Sequence, residues 1–299
     1  MAQTLQPKSK DSKPKSKPSP DSIPVAPETV QEQLFSAFVV PEGCVFDEQT
    51  VTADADIFVG EGSKISYGLS GLSVFVGPRV EVSGDVAAEE DLRLDRMARI
   101  GGDARAGGDV SLGELAKVEG KLAAAGDLTL GQGAAVAGGF ESTGTLTLQN
   151  PYPVILFILF YLATVLGLSG KQGLEKLFET LEAQSKSLIV PPGSTVEPDS
   201  IRTSRAFRAG RECRLLGNIE AARAEVGPDT VLVGSLRARG NIQVASGADI
   251  HGSVVSKATV FLAPGCRVRG SVEGKRIRLH RETKVEGKLR AAEGVRFLD

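Results

Sequence analysis

The chain has 299 residues, 35 Lys or Arg against 37 Asp or Glu, and a formal net charge of −2. Its 35 Gly, 5% aromatic content and lack of Trp exclude an aromatic-filled globular core and suit many short strands joined by tight turns. Two His exclude a His-rich metal site. The three Cys (Cys44, Cys213 and Cys266) form no CxxC and read as idle thiols of a reducing compartment.

Residues 1–28 form a Lys-, Pro- and Ser-rich tail with five Lys against Asp11, Asp21 and Glu28. It holds too few large apolar residues to fold alone and is expected to be disordered. No secretory signal peptide is read at its start.

From 29 to 150 the chain repeats. An apolar pair recurs as Ile57/Val59, Val74/Val76, Leu92/Leu94, Val110/Leu112, Leu128/Leu130 and Leu146/Leu148, its first members 17, 18, 18, 18 and 18 residues apart. Later units add Ile100, Val118 and Val136 eight residues after the first member, and close on turns such as Gly84-Asp85, Gly102-Asp103 and Gly120-Lys121. A fixed short period with a glycine turn in each unit is the mark of a solenoid. Seventeen or eighteen residues hold three short strands and three corners, one coil of a β-helix. Helical repeats need about 33 residues or more. Stacked about 4.8 Å apart, six coils predict a rod of roughly 30 Å with aliphatic internal ladders.

Residues 151–187 differ. No charged residue occurs between Glu141 and Lys171. Asn150 and Pro151 suit a helix start, and Gly167 and Gly170 a helix end. The apolar run sits at the boundary between a buried helix and a membrane span. Val154, Ile155, Leu156, Phe157, Ile158, Leu159, Phe160, Tyr161, Leu162, Val165 and Leu166 are the expected lipid contacts. The segment that follows places Leu174, Leu177, Phe178 and Leu181 at i, i+3, i+4 and i+7, an amphipathic helix. Together they predict a membrane-associating helical hairpin.

Residues 188–299 repeat the first half at an offset of 150. Phe38-Val-Val-Pro-Glu-Gly meets Leu188-Ile-Val-Pro-Pro-Gly, Ile57 meets Phe207, and Val110 meets Val260. One residue is then lost, so that Val136 meets Val285 and Leu146 meets Val295. A single shared gap over about 110 residues reads as tandem duplication. The expectation is an all-β solenoid of two tandem β-helices, each of about six coils, joined by the helical hairpin.

The repeats NIQVASGADIHGS and TVFLAPGCRVRGS, with a flexible Pro/Lys tail ahead of them, resemble the bactofilins, a family of polymer-forming cytoskeletal proteins. The resemblance implies a right-handed three-sided β-helix, nucleotide-independent end-to-end assembly and a scaffold role at the membrane. One β-helix and no central apolar helix is usual in that family, so this chain departs from it there.

The expected function is therefore a non-enzymatic scaffold that self-assembles, contacts membrane lipid and uses no nucleotide, cofactor or metal. Val295, Phe297 and Leu298 in the last coil are the expected polymerisation surface, meeting another such face or the Phe38–Val51 coil. The end of the first copy is expected to be covered by the hairpin. The alternatives are a hexapeptide-type left-handed β-helix acyltransferase, or a membrane-anchored β-helix adaptor that does not polymerise. His251 and His280 are the only candidate bases, and neither has an equivalent in the first half. No phosphate-binding GxxxxGK[ST] motif occurs.

The halves differ in charge: residues 29–150 carry 8 basic and 19 acidic side chains, residues 188–299 carry 19 and 12. The basic half includes Arg202, Arg205, Arg208, Arg211 and Arg214, and could face anionic lipid. Nucleic acid is the weaker partner because stacking aromatics are scarce. The expected location is the cytoplasmic face of the cell membrane, with a single span as the alternative.

Overall fold

A computed structural model describes residues 35–148 and 187–298. The expected tail at 1–28 and the hairpin up to 186 lie outside the described residues. Ser187, given to the hairpin on sequence, instead opens the strand Ser187–Val190. Every regular element among the described residues is a β-strand. The strands form three sheets, one of 14 strands and two of 12, which are the three walls of a single β-solenoid of about 12 turns.

The apolar pair of each unit explains the walls. In Leu92-Arg93-Leu94 the alternation of an extended chain turns both Leu inward and Arg93 outward. Leu92 sits in parallel register with Val74 on one side and Val110 on the other. The next wall stacks Val82, Ile100 and Val118, and the third stacks Val86, Ala104 and Leu122. All these residues belong to one continuous hydrophobic core. In the second half Val260 pairs in the same way with Ile242 below and Ile277 above and is fully buried.

Side-chain ladders close the corners of the first half. Asp85 Oδ1 accepts the Asp103 backbone N–H at 2.8 Å, and Asp103 Oδ1 accepts that of Lys121 at 2.8 Å. A second column runs from Asp91 to Asp109, Asp127 and the Thr145 N–H. In the second half the same work falls to neutral groups: Asn218, Ser235, Ser253 and Ser271 each accept from the next coil. The corner chemistry accounts for part of the acidity of the first half. Gly102 is required in this packing, because a Cβ there would stand 2.1 Å from Asp85 Oδ1.

The two halves are not rods in series. The strand Ala37–Val40 stacks in parallel on Ala206–Ala209, in the second half. The strand Ser187–Val190 stacks in parallel on Asp56–Val59, in the first. These exchanged strands meet antiparallel at Val39 and Ile189, the seam of the solenoid. The next pieces repeat the exchange: Val45 pairs with Arg214, and Thr195 and Val196 with Lys64 and Ile65. Residues 150 apart also share contacts at the seam. Ser63 Oγ donates to the Pro191 carbonyl at 2.9 Å and Cys213 Sγ to that of Pro41 at 3.0 Å. From the seam the coils run outward in both directions, ending at Leu146–Leu148 and Val295–Leu298. At about 4.8 Å per strand the long wall spans roughly 60 Å.

The expectation of an open Phe38–Val51 coil is thereby corrected. Phe38 is fully buried, its ring centroid 5.5 Å from that of Phe207. An opening coil standing alone would leave a strand edge and an apolar column bare, and the exchange pairs both.

Candidate assembly surfaces

The two tips are where the internal columns stop. At the second tip Val295 follows Ile277 and Phe297 follows Leu279 in register. Ile277 is 1% exposed and Leu279 3%, but Val295 is 38% and Phe297 61% exposed. Leu289 of the neighbouring wall is exposed as well, and Leu298, paired with His280, is half-buried. The inward pair expected at 295 and 297 is thus brought together, and it is exposed, with no further coil stacked on it among the described residues.

The first tip is built in the same way. Leu146 stacks on Leu128, which is fully buried, yet Leu146 is 46% exposed. Phe140, stacked on Leu122, is exposed to the same degree. The hairpin expected to cover this tip lies outside the described residues. Both tips are C-terminal faces of their halves.

Charge pairs strap the outer coils at the second tip. Arg290 reaches Glu273 at 3.2 Å, and Arg267 pairs with Glu286. Glu293 receives Lys275 at 2.8 Å and Arg276 at 2.9 Å. The hydrogen bond from Lys275 is the main reason its carboxyl is held below the usual range. Such exposed pairs fix register more than they add stability.

The regular arginine run of the second half does not make one basic stripe. Arg202, Arg208 and Arg214 lie on strands of three different walls, because the chain turns a corner about every six residues. The shallow groove along one wall carries outward Arg202, Glu220, Arg237, Val255, Glu273 and Arg290 in register. Opposite signs alternate there, and Arg237 meets Glu220 at 3.4 Å.

His251 and His280 stand on different walls, following Asp249–Ile250 and closing Arg276–His280. His251 Nε2 is 3.5 Å from Asp249, whose carboxylate is engaged by Arg269 at 2.7 Å. The Arg269 hydrogen bond holds the Asp249 carboxyl below its usual range. His280 Nδ1 accepts the Glu282 N–H at 3.3 Å. The three Cys are buried and unbridged. Burial pushes the Cys213 thiol up to about 11, and drives Cys44 and Cys266 upward too. Among the described residues no group of His, Cys, Asp and Glu is placed to hold a metal, and no helix is long and apolar enough to cross a membrane. The lipid contacts expected at 154–162, 165 and 166 lie outside the described residues.

One feature of the seam escaped the sequence reading. Phe58 and Phe75 point to the outside of the long wall, yet are 1% and 2% exposed. The signal was present: these units read Ile-Phe-Val and Val-Phe-Val where later ones read Leu-Arg-Leu and Val-Ser-Leu. No family model, curated protein or solved structure matches the chain.

Proposed function

We propose that this chain is a non-enzymatic, nucleotide-independent scaffold that polymerises through the tips of its solenoid and is held at the cytoplasmic face of the membrane by its central apolar run. One observation carries the reading: among the described residues both ends of the rod stop on a coil whose inward columns, Leu146 at one tip and Val295 with Phe297 at the other, are exposed. Such an end exposes unpaired backbone groups beside an apolar column, a template for another chain.

On this reading the 150-residue offset is a duplication of one β-helical domain, fused so that the two opening coils interlock at the seam. Fusion leaves the two closing coils as the end faces of the solenoid among the described residues. Rods joined by like faces then extend in both directions, without a nucleotide to time the step. The apolar residues 154–162, 165 and 166 supply the lipid contact, and the resemblance to the bactofilins agrees with assembly at a membrane.

Sedimentation and negative-stain microscopy of three proteins test the reading. Wild type should form filaments or large oligomers. Phe297→Arg puts charge on one tip and should stop growth at short oligomers. Leu146→Arg with Phe297→Arg should give single rods. Filaments of wild-type length in the double variant would move assembly away from the tips, most simply to the oppositely charged halves.

A further inference from the structure

The long wall has an outer face that changes character at the seam. Its outward column reads Ser111, Arg93, Phe75, Phe58, Ile189, Val39, Arg208 and Glu225 in register. Four apolar residues therefore lie side by side, bracketed by two arginines. Phe58 and Phe75 stack with centroids 4.9 Å apart and planes 15° apart. Neither ring belongs to the internal core, and neither does Ile189, which is 5% exposed. Outward rings are shielded to this degree only when something lies over them.

The opposite side of the seam is different. Residues 150 further on are Arg208 and Glu225 in place of Phe58 and Phe75, and they form an ion pair at 3.3 Å. The apolar face is therefore particular to one side of the seam and is not dictated by the repeat.

We propose that the segment 171–186 of this same chain docks on this face, its apolar stripe of Leu174, Leu177, Phe178 and Leu181 laid over Phe58, Phe75 and Ile189. Connectivity favours this occupant. The segment runs directly into Ser187, the first residue of the strand that carries Ile189. Six residues from Leu181 to Ser187 reach at most about 20 Å. Phe58 and Phe75 lie one and two strands from Ile189, about 5 and 10 Å away. Charge also fits, since Glu175, Glu179 and Glu182 would flank a stripe whose docking face is bracketed by Arg93 and Arg208. The apolar run that precedes 171 would then leave the rod at its middle, on the side of the long wall. A rod tethered there lies along a membrane and keeps both tips free. This consequence rests on the membrane reading; the docking itself does not.

The test is site-specific photocrosslinking in the full-length protein, with p-benzoylphenylalanine replacing Leu177 and the products mapped by mass spectrometry. Docking gives intrachain products on the peptides holding Asp56–Val59, Val74–Val76 or Ser187–Val190. Products on lipid, on a second chain, or on other walls of the rod overturn it. A second measurement needs no probe. Leu177→Glu with Leu181→Glu should uncover the rings, raising the fluorescence of an apolar dye severalfold while far-ultraviolet circular dichroism holds; unchanged dye fluorescence also overturns the docking. Repeating the crosslink in Leu156→Lys with Phe160→Glu separates the two readings: the crosslink should persist even when vesicle flotation is lost, and its disappearance would overturn docking as a property of the rod itself.

Discussion

Single residues carry conformational and electrostatic costs that the repeat imposes on them. A column of corners lies in the left-handed region and includes Arg79, Met97 and Leu115 at φ 54°, 56° and 57°, then Gly133 at 71°. This corner explains why Met97 and Leu115 are exposed although apolar: they sit at a turn and face solvent. A non-glycine residue in that region costs about 1 kcal/mol or more. Leu115→Gly should therefore leave stability unchanged or raise it by up to about 1 kcal/mol, measured by denaturant melting, despite the loss of a large side chain. Asp56, at the seam, shows the electrostatic counterpart. Burial raises its carboxyl above the ordinary value of 3.8, the Glu90 carboxylate adds to this, and the Ser73 N–H at 3.2 Å opposes it. A raised carboxyl holds its proton more tightly in the folded state. Its contribution to stability is full below the ordinary carboxylate range and lost as pH rises through the raised value. Asp56→Asn keeps an acceptor for Ser73 and should raise the melting temperature at pH 7, with the gain vanishing below about pH 4.

At the scale of the element, a strand here is two to five residues long and has no stability of its own. It is held by the same strand of the coils before and after it, so a fault spreads along the column. Val260 is fully buried between Ile242 and Ile277. Val260→Asp would place an uncompensated carboxylate in a dry column and should cost several kcal/mol, unfolding the neighbouring coils. Circular dichroism and thermal melting read this directly, and an unchanged melting temperature would contradict the register. The terminal columns respond differently: Phe297 already faces water, so Phe297→Arg should melt as wild type does while changing assembly. The contrast between two positions of the same repeat separates a stability effect from an assembly effect.

At the scale of the whole molecule, the seam makes the described residues one solenoid of about 12 turns, with coils running outward on both sides. An isolated half would present a bare opening coil and a bare closing coil. Interlocking removes the first kind of end and leaves two of the second. On the proposed reading, the central apolar run decides where such a rod is found. Leu156→Lys with Phe160→Glu places two charges in it, each disfavouring insertion by roughly 2.5–3.5 kcal/mol if it enters a bilayer. Liposome flotation should be lost while the strand content is unchanged. Retained flotation would move the lipid contact to the Lys-rich tail or the basic half.

The solenoid, its three walls and its inward columns were legible in the sequence, because each contact that builds them joins residues one coil apart. Leu92 meets Val74 and Val110 at a separation the period itself displays. The inward places of Val260, Val295 and Phe297 followed from the same rule. The seam did not, because its contacts join Ala37–Val40 to Ala206–Ala209 and Ser187–Val190 to Asp56–Val59, far outside the period. An offset of 150 says that two halves are alike; it does not say which ends meet. Nor does the alternation of apolar residues distinguish an outward Phe58 bound for water from one that is buried. Only the tertiary structure decided both: the seam joins strands more than a hundred residues apart, and whether Phe58 is shielded depends on packing over a sheet face, which alternation does not record.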